Sequence, residues 1–293
     1  SRDELKQFEM QQKFPKTEYP QIRFFLGDVR DRLRIRRALN GIDIVIHAAA
    51  LKQVPTAEYN PTEFIKTNIN GAQNIIEACI DANVKKIIAL STDKAVSPAN
   101  LYGATKLCSD KLFIAANNYA GNKNFRFSIV RYGNVISSRG SVIPKFKEID
   151  KTGAKNRFPI TDNDMTRFMI SIEKGVETVL YAIKNQIGGE IFVPKMPSCK
   201  IVDLCKSING KRGIKVIGIR PGEKLHEELI SQHDSLNTLD IGNYYVILNN
   251  QNKSFTEKYY KKKFNAKKVK KDFSYNSKNN NYLNIKEIKK ILL

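Results

Sequence analysis

Thr92, Asp93 and Lys94 follow the apolar run "KKIIAL" after a single serine, Ser91, and a Tyr-x-x-x-Lys pair, Tyr102 and Lys106, comes ten residues after Thr92. The apolar run reads as a buried strand, so the polar triplet sits where that strand ends. In open parallel sheets ligands bind beyond the carboxyl ends of the strands. Four residues apart on a helix, Tyr102 and Lys106 share a face, and the ammonium can approach the phenol. A cation there lowers the tyrosine pKa and makes it usable as a base near neutral pH. Each signal has a bland reading, a solvated helix face or a strand-end lysine. Together, on a strand end and the helix after it, they favour chemistry.

The elements that must position them are legible. Apolar runs at 22–29 ("IRFFLGDV"), 42–50 ("IDIVIHAAA"), 84–92 and 125–135 ("FRFSIVRYGNV") read as strands. Between them "RDRLRIRRALN", a segment from Pro61 to Ala82 opened by "NPTE", and "LYGATKLCSDKLFIAANNYA" read as helices. Strands of five to eight residues alternating with helices of ten or more indicate a buried parallel sheet, doubly wound. The expected class is α/β, with a dinucleotide-binding domain over 1–135. Residues 136–293 mainly form a smaller C-terminal substrate lobe, some segments returning to the first domain. One part of that layout is missing. No Gly-rich turn precedes Ser1, and no G-x-x-G-x-x-G follows; about 30 residues, one strand and its crossover helix, are absent from the expected plan.

With 293 residues, 41% of them hydrophobic, the chain can bury a sizeable core. The four cysteines (Cys79, Cys108, Cys199, Cys205) show no metal-ligand spacing and read as free thiols in a reducing compartment. No run approaches the roughly 20 apolar residues of a membrane span, and the charged opening lacks a secretory h-region. The net charge of +21 raises the question of an anionic partner. Residues 251–293 hold thirteen lysines against three acids and no arginine, so nearly half the excess lies there. Groove readers favour Arg forks; a solvated, compositionally biased surface is the preferred reading, and no nucleic-acid partner is expected.

In this order, "SRDELKQFEM", "GDVRD", "HAAALKQVPTAEYNP", "LSTDKA", "NLYGATK", "RYGNVISSRGSVIP", "TRFMI", "GGEIFVPK" and "IGIRPGEKLHEELI" resemble the inverting UDP-N-acetylglucosamine 4,6-dehydratases of the extended short-chain dehydrogenase/reductase superfamily. The likeness covers essentially the whole chain. Two departures stand out: the front Gly-rich element, and Ser97 in "DKAVSP" where the family pattern reads "SDKAxNP".

The resemblance implies a Rossmann-type sheet, NADP as cofactor, a UDP-sugar substrate and a lyase reaction inverting C5. It also implies roles. Tyr102 would take the C4 hydroxyl proton, Lys106 would keep Tyr102 anionic and bind ribose, and Thr92 would bond the sugar O4. Asp93 would protonate the departing C6 hydroxyl and Lys94 would remove the C5 proton. A lysine in that slot separates the inverting branch from retaining dehydratases. Ser1, Arg2, Asp3, Glu4, Leu5 and Lys6 would line the adenosine 2′-phosphate, with Asp28 and Val29 at the adenine. Ala48, Ala49 and Ala50 would run under the dinucleotide, Lys52 and Asn68 would lie near nicotinamide and sugar, and Val135 and Arg139 on the cofactor side. Asn134, Val142, Thr161, Arg220 and Asn281 would hold the UDP-sugar, Asn281 from a short C-terminal helix segment (Leu283, Ile285, Ile288, Leu292) packed on the body. His47 reads as structural, and no metal site is expected. The same likeness implies a cytoplasmic homo-oligomer serving nonulosonate (pseudaminic acid) synthesis, flagellin glycosylation or another surface glycan. Two alternatives stay open: a UDP-sugar C4 epimerase, and a truncated remnant without catalysis.

Overall fold

A computed structural model describes residues 1–120, 124–136, 138, 140–152, 157–250 and 253–292. In chain order the first half holds α1 (Glu4–Lys13), α2 (Arg32–Ala38), β1 (Ile44–His47), α3 (Val54–Tyr59), α4 (Pro61–Phe64), α5 (Gly71–Asp81), β2 (Lys86–Thr92), α6 (Leu101–Ala115) and β3 (Arg126–Tyr132). The second half continues with β4 (Asn134–Val135), α7 (Val142–Lys151), β5 (Phe158–Ile160), β6 (Thr166–Ile170), α8 (Ile172–Asn185), β7 (Ile191–Pro194), β8 (Ser198–Lys200) and α9 (Ile201–Asn209). It ends with β9 (Ile214–Val216), β10 (Glu228–Ile230), α10 (Gln232–Ser235), β11 (Thr238–Asp240), β12 (Tyr244–Ile247), α11 (Lys253–Phe264), β13 (Lys267–Lys268), β14 (Tyr275–Asn276) and α12 (Ile285–Leu292).

The main sheet runs β1-β2-β3-β7-β12-β11-β13. Its first four strands are parallel and its last three antiparallel. Successive side chains on a strand face opposite ways, and the core divides accordingly. Ile87 and Ile129 pack with Ala72, Ile76 and Phe113 of α5 and α6 on one face. Ile88 and Val130 pack with Val179 and Ala182 of α8 and Tyr260 of α11 on the other. Helices on both faces of a largely parallel sheet make the doubly wound α/β arrangement the sequence predicts. A third cluster, around Phe146 of α7, Phe158 of β5, Leu204 of α9 and Ile288 of α12, belongs to the second half alone. That half does not stay in one lobe, since β7, β11, β12 and β13 complete the main sheet.

Several expected elements differ in detail. Residues 22–28 join no ladder among the described residues. They are held instead by Gly27 N–H to the Ser1 carbonyl, Gln7 Nε2 to Phe25 O and Arg34 Nε to Leu26 O. Apolar periodicity reports content, but a strand also needs a neighbour to pair with. The next strand is trimmed to Ile44–His47, with Ile44 and Ile46 about half exposed on its outer edge. The long helix from Pro61 carries a π-helical stretch, Ile65–Asn70, which turns Thr67 and Asn68 inward. The expected strand 125–135 breaks at Gly133, where an added Cβ would lie 2.4 Å from Phe168 Cβ, and its end joins β6 in a smaller sheet. Ser97 adopts φ 43°, a left-handed conformation that Asn tolerates better than Ser, which gives the departure from the family pattern a physical meaning. Cys79, Cys199 and Cys205 are buried free thiols, and Cys108 is exposed.

One close approach sets the site. In "LYGATK" the glycine, Gly103, lies so near the Asp93–Ala95 turn that an added Cβ would sit 2.2 Å from the Lys94 carbonyl oxygen and 3.0 Å from Pro98 Cβ. Backbone oxygen cannot move aside as a flexible side chain would. Gly103→Ala is therefore expected to lower unfolding free energy by ~1–3 kcal/mol through overpacking. Denaturant unfolding checks this, and a midpoint equal to that of the wild type would contradict it.

Candidate active site

β2 delivers the triplet. Its backbone stays extended through Thr92 and then tightens into a 3-10 turn over Asp93–Ala95. The Thr92 hydroxyl donates to Asp93 Oδ1 at 2.9 Å and accepts from Lys94 N–H at 3.4 Å, fixing the turn. Asp93 is wholly buried. Lys94 Nζ donates to Asp93 Oδ1 at 3.0 Å, with 23% of the lysine side chain exposed. Helix α6 begins beside this turn because Asn100 caps it, accepting from Gly103 N–H at 2.8 Å. The same side chain donates to Gly222 O at 2.8 Å, and Lys224 Nζ donates to Val96 O at 2.6 Å. The "RPGEK" loop is thereby tied to the loop that carries the triplet.

Tyr102 is 8% exposed and Lys106 4%. The Lys106 ammonium is anchored on the strand beneath its helix. Its Nζ donates to the Leu90 carbonyl at 2.9 Å, inside the helix–strand seam. Burial pushes Tyr102 up to about 12, while Lys94 and a hydrogen bond with Thr92 pull it back. Lys106 itself is lowered by burial, against the pull of Asp110. Burial likewise raises the Asp93 carboxyl; Lys94 opposes this and Glu227 adds to it. For Lys94 burial acts downward, but the carboxylates of Asp93 and Glu227 outweigh it and the ammonium is held above its ordinary range.

Sequence reasoning gave no role to Glu227, nor to Arg167 beside it. Glu227 Oε1 lies 3.3 Å from Lys94 Nζ and 3.8 Å from Arg167 Nε. The available signal was a charge inside an otherwise apolar run: Arg167 occupies β6, all five of whose residues are buried. Both residues stand in segments that carry the family resemblance, "TRFMI" and "LHEELI".

The remaining predicted residues fall into groups. Asn68 accepts from Leu51 N–H at 2.8 Å and donates to Leu51 O at 2.9 Å and to Thr105 Oγ1 at 3.0 Å. This pins the loop after β1, with Lys52, against α6. The Lys52 ammonium is lowered by burial and then by Lys94. Ala48, Ala49 and Ala50 leave the end of β1 exposed and small. Away from the triplet, Asp3 caps α1 by accepting from Lys6 N–H, within the segment Ser1, Arg2, Asp3, Glu4, Leu5 and Lys6. Arg2 and Arg30 reach Asp28 at 3.5 and 2.9 Å, and hydrogen bonding to Arg30 holds the Asp28 carboxyl below the usual range. Val29 packs on Gly71, and its carbonyl accepts from Asn74.

On the other side, Thr161 Oγ1 donates to Glu223 Oε2 at 3.0 Å, and Arg220 N–H reaches the same oxygen at 3.4 Å. Thr161 and Arg220 are thus brought together, with the Arg220 side chain exposed. Asn134 and Val135 form β4 beside β6. Val142 opens α7 and packs on the second half's own core. Asn281 is exposed, its carbonyl accepting from Ser198 N–H. Arg139 lies outside the described residues.

The residues present fit a polyol substrate in one checkable respect. Asp93 Oδ2 and Asn134 Oδ1 are buried with no hydrogen-bond partner among the described residues, and leaving such atoms unpaired is costly. Donor hydroxyls of a sugar would pair them. The arrangement as a whole offers a buried acid and an amine base sharing one hydrogen bond, with a phenol beside them.

A family model described as polysaccharide biosynthesis protein matches residues 1–249. A Campylobacter jejuni protein named UDP-N-acetylglucosamine 4,6-dehydratase (inverting) is 56% identical over 285 residues, covering 96% of this chain and 84% of that protein. A Rickettsia akari protein named UDP-glucose 4-epimerase is 42% identical over 100% of this chain and 85% of its own length. Among solved structures, the X-ray structure of Pen from Bacillus thuringiensis matches with a TM-score of 0.89 at 35% identity, over 99% of this chain and 87% of that one.

His47 closes β1 just ahead of Ala48, 4% exposed and 5.4 Å from the Phe113 ring. Burial, then Lys106, lowers it from 6.5 to about 3. Between those values the unfolded chain binds a proton that the folded chain refuses, so stability is full above the upper value and falls as pH drops toward the lower. The complete loss is on the order of a few kcal/mol. In His47→Leu the difference in unfolding free energy between about pH 7.5 and about pH 5 should shrink. An acid limb unchanged by that substitution would contradict the assignment.

Proposed function

The chain belongs to the polysaccharide biosynthesis protein family, and we propose that it acts there as an inverting UDP-N-acetylglucosamine 4,6-dehydratase, a lyase. One observation carries the reading: the Asp93–Lys94 pair, hydrogen-bonded at 3.0 Å beside the buried Tyr102. The 56% identity to the Campylobacter jejuni protein supports it.

The difficulty in such a dehydration is that the sugar C5 proton is not acidic until C4 is a ketone. NADP+, when bound, would supply a positive charge and a store for the hydride that passes from C4 to C6. Tyr102 accepts the C4 hydroxyl proton, with Thr92 bonded to O4. Lys94 then takes the C5 proton, and the electron pair moves onto the C4 oxygen. Collapse of that enolate expels the C6 hydroxyl as water, with a proton from Asp93. Protonation of C5 on the opposite face completes the inversion.

The free chain holds Lys94 as an ammonium, so the base must first lose a proton. Passing one proton along the bond to Asp93 converts the ion pair into a neutral acid and a neutral amine, the two states elimination needs. Burial favours that exchange because it removes two charges from a wholly buried carboxylate's surroundings.

Residues 1–135 serve the cofactor on this reading, and 136–293 mainly the UDP-sugar. Arg2 and Lys6, on the segment joined to Asp28, supply charge suited to the 2′-phosphate of NADP and support that cofactor. Equal affinities for NADP+ and NAD+ in a fluorescence titration would remove their role. The family likeness further supports work in the cytoplasm as a homo-oligomer, supplying pseudaminic acid for flagellin or another surface glycan. A C4 epimerase is the second reading, favoured by the Rickettsia akari relative. Epimerisation exchanges hydride at C4 alone and has no use for an acid–base pair at C5 and C6.

The two readings part in the variants. Lys94→Ala should stop solvent deuterium entering C5 while C4 oxidation, seen as transient NADPH, survives; Tyr102→Phe should block both. General acid–base groups contribute about 10²–10⁴-fold, so the loss of product should be of that order. A Lys94→Ala protein making 4-keto-6-deoxy sugar at near the wild-type rate would sink the dehydratase mechanism.

A further inference from the structure

Lys94 has a second carboxylate besides Asp93. Glu227, 2% exposed, stands just ahead of β10 and brings Oε1 to 3.3 Å from Lys94 Nζ. It is held from several directions. Its N–H donates to Ser277 Oγ at 2.9 Å, and Ser277 N–H donates back to its carbonyl at 2.8 Å. Arg167 Nε stands 3.8 Å from the same Oε1, while Arg167 Nη1 donates to Thr166 O at 2.7 Å and Leu225 O at 3.1 Å.

A purely structural reading would make Arg167–Glu227 a buried ion pair that joins β6 to the segment before β10. That pair does not require Lys94. The carboxylate oxygen facing Arg167 is nevertheless the one that reaches Lys94, and its other oxygen, Oε2, has no hydrogen-bond partner among the described residues. Lys94 is therefore held between two anions, Asp93 at 3.0 Å and Glu227 at 3.3 Å. The other charged and titratable groups facing this cluster are Arg167, Lys224, Tyr102 and Lys52.

Resting on the dehydratase reading, we propose that Glu227 is the positioning residue for the Lys94 base, fixing its Nζ and stabilising the ammonium that C5 deprotonation creates. In that step the C5–H bond breaks, an N–H bond forms on Lys94, and the freed pair goes to the C4 oxygen. The nitrogen gains a full positive charge. A carboxylate already in place favours the developing charge without reorganising, as the buried aspartate of a catalytic triad does for the imidazolium. Arg167 keeps Glu227 ionised: burial alone would raise its carboxyl, but Lys94, then Arg167 and Lys224, bring it below the usual range. Asp93 is thereby left to serve as the proton donor to O6. The two carboxylates on one lysine have separate tasks.

The experiment uses the full-length protein with cofactor bound and compares wild type, Glu227→Gln and Glu227→Asp. C4 oxidation is read as transient NADPH, and C5 chemistry as deuterium uptake from solvent across a pH series. In Glu227→Gln, C5 exchange should fall about 10–100-fold, the scale of a misplaced catalytic group. Its rising limb should move to lower pH, because the amine loses an anion that holds its proton, while C4 oxidation is kept. Glu227→Asp, which retains the charge, should keep the wild-type limb and recover part of the rate. A Glu227→Gln protein with the wild-type rate and limb overturns the proposal. So does a parallel loss of C4 oxidation and C5 exchange with the limb in place, the mark of a merely structural ion pair. If the Gln variant does not fold, the Asp variant decides: lowered exchange with C4 oxidation intact supports the assignment, and both falling together overturns it. A wild type that takes up no deuterium at C5 overturns the dehydratase reading itself, and this inference with it.

Discussion

Lys94 lies between Asp93, which is wholly buried, and Glu227, which is nearly so, with Arg167 behind. Charges taken out of water repay their desolvation only when geometry holds every partner in place. Much of the fold meets that demand. The β2 ladder to β3 carries the chain in register up to Thr92. Gly103 lets α6 approach the Lys94 carbonyl, and Gly133 lets the β3–β4 corner pass Phe168 with Asp93 Oδ2 close by. Asn100 and Lys224 tie the triplet's loop to "RPGEK", whose downstream chain carries Glu227. The acid and base come from the first half of the sequence and their counter-ions from the second, so the site exists only where the two meet.

The legible parts were those whose signal is local. β2 showed as a near-continuous apolar run, and the Asp93–Lys94 pair could be placed because it ends that run. Tyr102 and Lys106 could be placed on one helix, but spacing does not tell where an ammonium finds its acceptor; Lys106 bonds the Leu90 carbonyl, and Lys94 also acts on the phenol. Residues 22–29 had a strand's composition without a partner strand to pair with. Glu227 and Arg167 carried a faint local signal, a charge in a buried run, but their meaning lies in Lys94, a residue distant in the chain. The π-helical stretch gave no signal either, although it turns Asn68 onto Leu51 and Thr105.

The basic C-terminal segment shows how composition and structure divide. Its lysines account for much of the net charge, yet some of its apolar residues are built into the body. Tyr260 of α11 is fully buried against the main sheet, with its hydroxyl donating to Glu190, and Ile288 of α12 lies in the second half's core. β13 pairs with β11 at the sheet's edge, where two exposed lysines discourage further pairing. Charge at such positions keeps a surface solvated and an edge closed to other chains.

The central claim is that a buried acid–base pair performs elimination across C5 and C6, and the product formed in heavy water tests it most directly. Full-length wild-type protein with NADP+ and UDP-N-acetylglucosamine in D2O should yield a UDP-4-keto-6-deoxy sugar. Proton NMR should show deuterium at C5 and the C5 configuration inverted. A product that keeps its C6 hydroxyl, differs from the substrate only at C4 and carries no deuterium at C5 would contradict the account.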